Sequence, residues 1–151
     1  MQFAAGRRWR FAGAGPLPSY VRLSRDCRHI GGVLDAFPKL GFNLPHAGGT
    51  MPGLIGRWDH GTKVRPELKH MKRPPSEYLR RFTYDTIGHD DRINANLVRL
   101  VGADRVTLGS DYCFDMGLDD PLATVSRIAG VSEEDKDLIR GRNAARLLRL
   151  G

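Results

Sequence analysis

Apolar residues recur along residues 29–150 in two spacings, which predict short strands separated by amphipathic helices. Three compact runs of apolar, β-branched or aromatic residues predict strands at 40–45, 82–87 and 105–109. Helical spacing or end signals predict helices at 29–37, 52–58, 77–81, 91–101, 120–129, 132–140 and 143–150. The polar residues 59–75 are expected to form a long connection, and Ser76 is expected to cap the short helix that follows.

Apolar faces predict which sides of these helices are buried. The expected face of helix 29–37 consists of Ile30, Val33, Leu34 and Phe37. For helix 91–101 it consists of Ile93, Leu97, Leu100 and Val101, and for the terminal helix of Ala144, Leu147 and Leu148. Each set follows the three- and four-residue spacing that brings side chains to one side of a helix.

The order of the predicted elements indicates an α/β fold. Strands that alternate with helices form a parallel sheet through crossover connections. A complete (β/α)8 barrel usually takes about 250 residues, and three strands are few for that class. The pattern over residues 29–151 therefore predicts the C-terminal portion of a TIM (β/α)8-type barrel, incomplete within this sequence.

Composition is that of a globular chain with one domain-sized core. The 151 residues are 40% hydrophobic and 27% charged, which is near globular averages. No apolar run approaches the roughly 18 residues that a membrane span needs, so no contact with a membrane is expected. Two cysteines, Cys27 and Cys113, cannot build a disulfide scaffold or a cysteine zinc cluster, and a reducing, cytoplasmic location is the expectation.

The positive charge of the chain is concentrated at its N-terminus. Residues 1–28 hold six arginines and one acid, a net of +5, whereas residues 29–151 hold the other 18 basic and 16 acidic groups, a net of +2. Residues 1–28 are therefore treated as an atypical basic segment, separate from a barrel-type domain over 29–151. A targeting peptide, a disordered arm and a mis-started or out-of-frame end are three competing interpretations, and the last is favoured. No nucleic-acid partner is expected, because nothing joins the arginines to a recognition fold.

Polar residues follow or end all three predicted strands. His46 follows the first strand, Asp85 lies within the second, and Asp111 follows the third. Catalytic groups of parallel α/β folds project from the C-terminal ends of strands. A histidine and an aspartate there can bind a metal or act as acid and base. The alternative is that His46 is a loop residue with satisfied hydrogen bonds and that Gly-Ser-Asp is an ordinary turn.

A series of ordered motifs resembles the amidohydrolase-related family, closest to its aminocarboxymuconate-semialdehyde decarboxylase branch. The motifs are HAGG at 46–49, GRWDHG at 56–61, VRPE at 64–67, PPSEYLRRF at 74–82, YDT at 84–86, HD at 89–90, VGADRV at 101–106, LGSDY at 108–112 and GRNAARLL at 141–148. The resemblance covers roughly residues 30–150. It implies the C-terminal part of a TIM-type barrel that holds one divalent metal, usually zinc.

The resemblance also implies roles for individual residues. Asp111 is the implied metal ligand, and His46 is the implied acid/base that orients or deprotonates the metal-bound water. Arg57 is implied to contact a substrate carboxylate, in related enzymes from the neighbouring subunit of a dimer, and Arg65 is a second such position. Arginine suits a carboxylate because its fork binds both oxygens.

This sequence departs from the family pattern in three respects. Its five histidines (His29, His46, His60, His70 and His89) form no His-x-His pair, so three of the family's four metal ligands are missing from it. Ala47 stands where glycine is usual, which is a mild change only if the backbone there does not need a positive φ. Cys113 stands where proline is usual, and a buried structural thiol is favoured over a metal ligand.

Two functional hypotheses follow. The first is part of a metal-dependent decarboxylase or hydrolase that acts on a small carboxylate substrate, with this chain inactive by itself. The second is a non-catalytic piece of a barrel, or an interaction module with a basic N-terminal arm.

Overall fold

The structure is a computed structural model that describes residues 32–69 and 71–150. The expectations about residues 1–28, including poor order over residues 1–15, lie outside the described residues. The same is true of Ile30, His29 and His70.

A three-stranded parallel sheet lies at the centre of the described chain. Its strands are β1 (Phe42–Leu44), β2 (Phe82–Asp85) and β3 (Val106–Thr107), in the order β1-β2-β3. Tyr84 of β2 is in register with Leu44 on one side and Val106 on the other. All three predicted strands and their parallel pairing are confirmed, with shorter bounds, and the fold class is α/β.

Helices connect and flank the strands. They are α1 (residues 32–36), α2 (Met51–Val64), α3 (Asp91–Val101), α4 (Pro121–Ser126), α5 (Glu133–Asp137) and α6 (Asn143–Leu148). Short 3-10 segments are Pro66–Leu68, Pro75–Arg81 and Ala103–Arg105. None of the helices in the described part is long and apolar enough to cross a membrane.

The polar connection predicted over 59–75 was partly wrong, because α2 continues to Val64. Trp58 and Gly61 are buried on one side of this helix, and Leu68 packs against Gly61, so a small apolar face is enough to extend it. The prediction that Ser76 caps the next helix was also wrong. That 3-10 segment begins at Pro75 without a side-chain cap, and the Ser76 N–H donates instead to Asp59 Oδ1 (2.9 Å).

Aromatic residues of the sheet form the middle of the core. The ring centroids of Phe42 and Phe82 are 6.0 Å apart, and those of Phe82 and Tyr84 are 6.5 Å apart in an edge-on arrangement. Tyr84 is completely buried, and its hydroxyl donates to the Leu79 carbonyl (2.9 Å). Burial raises the pKa of this phenol, because the charged form would lose its hydration.

The buried face of α3 differs from the predicted one by a small rotation. Asn94, Leu97, Val98 and Val101 are buried. Ile93 and Leu100, predicted to be core, are 49% and 43% exposed. The rotation follows from the Asn94 amide, which donates to the Thr86 carbonyl (3.0 Å) and so turns its side of the helix toward the sheet.

The C-terminal residues form one continuous helical rod with a wide turn in its middle. A π-helical segment, Leu138–Arg142, joins α5 to α6, and within it the Ile139 carbonyl accepts a hydrogen bond from the Leu108 N–H (2.8 Å). Leu147 and Leu148 were predicted to be buried and are exposed. Asn143 is buried instead, because its amide donates to the carbonyls of Ala103 and Val106.

Candidate active site

His46 and Asp111 lie at the same edge of the sheet. His46 follows β1 and Asp111 follows β3, and both strands run parallel to β2 between them. The carboxyl ends of all three strands therefore share one edge. Since neighbouring strands lie about 4.8 Å apart, the two exits are separated by about 10 Å.

The turn that carries His46 has an unusual backbone. His46 and Ala47 adopt φ values of 57° and 53°, in the left-handed region that side chains disfavour. Such residues cost about 1–3 kcal/mol each and persist only where their surroundings impose them. The Ala47 position therefore needs a positive φ, and alanine in place of glycine is not a mild change.

The carboxylate of Asp85 imposes this conformation. Its Oδ2 accepts from the His46 N–H (2.9 Å), and its Oδ1 accepts from the N–H groups of Ala47 (2.8 Å) and Ile87 (3.0 Å). Asp85 is buried at the end of β2. Its place in the second predicted strand was visible in the sequence, but its role as an acceptor for the His46 turn was not, because His46 and Ala47 are 39 and 38 residues away along the chain.

Close packing fixes the rest of this turn. A Cβ on Gly48, which has a φ of 80°, would lie 2.8 Å from the Tyr84 ring. Only glycine fits both this contact and this φ. The turn is thus held on one side by the central aromatic residue of the core and on the other by Asp85.

The loop after β3 holds Asp111 in a compact turn. Asp111 has a φ of 56°, and its carbonyl accepts from the Phe114 N–H (3.0 Å). The Ser110 carbonyl accepts from the Leu118 N–H (2.8 Å), which closes the loop. Cys113 is exposed, so the expectation of a buried structural thiol was wrong.

The two arginines predicted to bind substrate lie on α2 and at its end. Arg57 is exposed in the middle of α2, and Arg65 caps the C-terminal end of the same helix. The helix spans about 21 Å from its start near the turn to its end, by its rise of 1.5 Å per residue. Their roles stay predictions.

The side chains of the described residues do not fit a complete metal centre. Within 32–69 and 71–150, no three His, Cys, Asp or Glu side chains come together as a possible metal site. His89 follows β2 at the same edge, with a φ of 53°, and is exposed, but it forms no such group with the other two residues. Catalytic zinc normally takes three protein ligands.

The chain is an α/β protein with a parallel sheet, a class in which functional side chains commonly follow the carboxyl ends of the strands. The sequence model of the amidohydrolase family matches residues 17–150, and the chain belongs to that family.

Two of the similar proteins are decarboxylases. The chain is 38% identical over 136 residues to 2-amino-3-carboxymuconate-6-semialdehyde decarboxylase of Dictyostelium discoideum. The matched segment covers 89% of this chain and 38% of that protein. The structure of 5-carboxyvanillate decarboxylase from Sphingomonas paucimobilis is similar with a TM-score of 0.72 and 27% identity, over 85% of this chain and 39% of that one.

A further similarity concerns the fold alone. A dihydroxybenzoic acid decarboxylase from Polaromonas, with bound manganese and 2-nitroresorcinol, gives a TM-score of 0.69 at 23% identity, over 91% of this chain and 48% of that one. This chain thus spans less than half the length of each of these three proteins.

Proposed function

We propose that this chain supplies the carboxyl-edge wall of a decarboxylase active site in a TIM-type amidohydrolase barrel. The observation that carries the proposal is the common edge of one parallel sheet at which His46 and Asp111 lie. The 38% identity to a decarboxylase, over a segment that contains both residues, supports the reaction class. The proposed substrate is a small carboxylate, and the proposed location is the cytoplasm.

His46 is the proposed acid/base. Loss of carbon dioxide leaves a carbon atom that must take up a proton, and an imidazole can give and take protons near neutral pH. The side chain is exposed at the edge of the sheet, whereas its backbone is held by Asp85. This combination gives a substrate access to the ring without freeing the turn.

Asp111 is the proposed metal ligand, and a divalent ion, zinc by the resemblance, is the proposed cofactor of the complete site. Manganese in the Polaromonas enzyme is consistent with a divalent ion in this fold. The described residues do not supply three ligands, so the ion depends on residues beyond those described. Arg57, from a second subunit, and Arg65 are the proposed contacts of the substrate carboxylate.

A non-catalytic role is the second candidate. The absence of a three-ligand group from the described residues favours it. The loop after Asp111 also exposes Tyr112, Phe114 and Met116, which suits a surface that another part of a barrel covers.

A segment exchange tests the first proposal. The matching 136-residue segment of the Dictyostelium decarboxylase is replaced by that of this chain, and release of carbon dioxide from 2-amino-3-carboxymuconate-6-semialdehyde is measured. We expect turnover in the chimera. Asp111→Ala is expected to abolish both metal retention and turnover, and His46→Ala is expected to retain metal and lose turnover.

The matched control is Asp119→Ala, which removes an exposed acid from the same loop region and should leave both properties unchanged. A folded chimera that holds metal but shows no turnover would contradict the catalytic proposal and favour the second candidate.

A further inference from the structure

We propose that Asp85 is the positioning residue that holds His46 in its working orientation. The proposal rests on the function proposed above, because it concerns the same edge of the sheet. Asp85 acts through the backbone of the turn that carries His46 and needs no contact of its own with a substrate.

Both carboxylate oxygens of Asp85 accept hydrogen bonds from backbone N–H groups. Oδ2 accepts from His46, and Oδ1 accepts from Ala47 and Ile87. Asp85 is only 6% exposed, so its charge is poorly hydrated and depends on these donors. Hydrogen bonds from backbone N–H groups to a carboxylate are stronger than those between neutral groups.

The backbone of the turn that carries His46 is shaped to bind an anion. Successive backbone N–H groups in a turn can converge and form a concavity that takes an anion. His46 and Ala47 are the central residues of a turn that the Gly48 N–H closes on the Pro45 carbonyl, and their own N–H groups converge on the carboxylate of Asp85. The carboxylate of Asp85 therefore offsets the conformational cost of holding His46 and Ala47 in the left-handed region. Without this carboxylate, both residues should leave that conformation.

Asp85 also packs against the segment that follows β3. A Cβ on Gly109 would lie 2.9 Å from Asp85 Cβ, so the start of the loop that leads to Asp111 packs directly against this side chain. The Gly109 N–H donates to Thr86 Oγ1 (3.2 Å), which ties the same loop to the residue after Asp85. One buried aspartate thus sets the position of the His46 turn relative to the exit toward Asp111.

Nuclear magnetic resonance of the 151-residue chain tests the contact directly. In the unaltered protein, the amide protons of His46 and Ala47 should resonate downfield and exchange slowly with solvent. Asp85→Asn keeps the size of the side chain but replaces one acceptor oxygen by an NH2 group. We expect the exchange protection of these two amides to fall at least about tenfold, while Tyr84 in the strand keeps its protection.

The His46 ring signals supply a readout that general stability does not move. They should shift or broaden in Asp85→Asn, and the matched control Asp119→Asn should leave them in place. Adding Ala47→Gly to Asp85→Asn should restore the signals in part, because glycine adopts a φ near 53° without the cost that alanine has.

Two results would overturn the positioning role. One is Asp85→Asn with amide protection within about twofold of the parent and unshifted His46 ring signals. The other, which needs no variant, is unprotected His46 and Ala47 amides at ordinary chemical shifts in the unaltered chain. The second keeps the test decisive if Asp85→Asn fails to fold.

Kinetics of the chimera separate this proposal from the function on which it rests. Asp85→Asn should lower kcat by about 10–100-fold with KM within about twofold, because a misplaced acid/base impairs the reaction more than binding. An inactive parental chimera would refute the proposed function and leave the resonance test of Asp85 standing. An active chimera whose kcat survives Asp85→Asn would refute the positioning role alone.

Discussion

At the scale of the residue, Tyr78 shows how a single buried polar group links separate segments. Its hydroxyl donates to Asp35 Oδ2 (2.9 Å) and so joins α1 to the 3-10 segment before β2. Burial and then the hydrogen bond and charge of Asp35 raise the pKa of Tyr78 to about 12, with Arg73 opposing and Glu77 adding to the shift. The neutral phenol is therefore the form that the fold stabilises.

A pH-dependent loss of stability follows from this shift. The pKa of Tyr78 in the folded state lies above its ordinary value of 10, so its contribution is complete below pH 10 and is lost as the pH rises toward 12. As the pH rises over this interval, the free energy of unfolding measured in urea should fall less for Tyr78→Phe than for the parent protein. Some dependence should persist, because the pKa of Tyr84 is raised as well.

The matched control for this series is Tyr112→Phe, since Tyr112 is 90% exposed and has little packing to lose. If the free energy of unfolding fell equally with pH in Tyr78→Phe and in the parent, this result would contradict the role given to the Tyr78 hydroxyl.

At the scale of the element, the C-terminal helical rod is attached to the rest of the fold by the buried Ile139 side chain and by polar contacts. Leu147 and Leu148 are exposed, whereas the Asn143 amide reaches two carbonyls around β3. Lys136 is buried at the other end, and its ammonium donates to the Ser126 carbonyl (2.8 Å) and to Glu133 Oε1 (3.1 Å). The position of the rod is therefore set by directional hydrogen bonds together with the buried Ile139 side chain, rather than by a continuous apolar stripe.

Asn143→Ala should consequently destabilise the protein more than an ordinary asparagine substitution. It leaves the buried carbonyls of Ala103 and Val106 without this donor, and we expect the free energy of unfolding to fall by about 2–3 kcal/mol. Chemical denaturation measures the change. Asn96→Ala, at an exposed position of α3, is the control and should change stability by less than about 0.5 kcal/mol. A similar effect of both variants would contradict the anchoring role.

At the scale of the whole molecule, the described sheet presents open edges. β1 and β3 are its outer strands, so each has one side without a strand partner among the described residues. The loop after Asp111 adds exposed aromatic surface at the carboxyl edge. Unpaired edges and apolar patches are surfaces that proteins normally cover.

The purified 151-residue chain should therefore bind zinc weakly and show no decarboxylase or hydrolase turnover. Asp111 supplies one charged ligand, and no three-ligand group exists in 32–69 and 71–150. Metal analysis after dialysis, together with an activity assay, checks this expectation. Tight, stoichiometric zinc with measurable turnover would contradict it and would direct attention to His89 or Cys113 as further ligands.

The sequence by itself determined the three strands, their parallel arrangement and the residues that follow them. Strand runs such as 82–87 and the LGSDY motif are local signals, because composition and spacing within a few residues specify them. The amidohydrolase family followed from ordered motifs for the same reason. The caps that the structure shows at Asp90, Asp120 and Ser132 are local contacts too, since each side chain accepts from an N–H two or three residues ahead.

Only the tertiary structure decided which face of α3 is buried, where the C-terminal helix widens, and why Ala47 adopts a positive φ. Each of these depends on a partner far along the chain. Asn143 reaches Ala103 across 40 residues, and Asp85 reaches Ala47 across 38. Local propensity opposes a left-handed alanine, and a buried carboxylate brought there by strand pairing overrides that propensity.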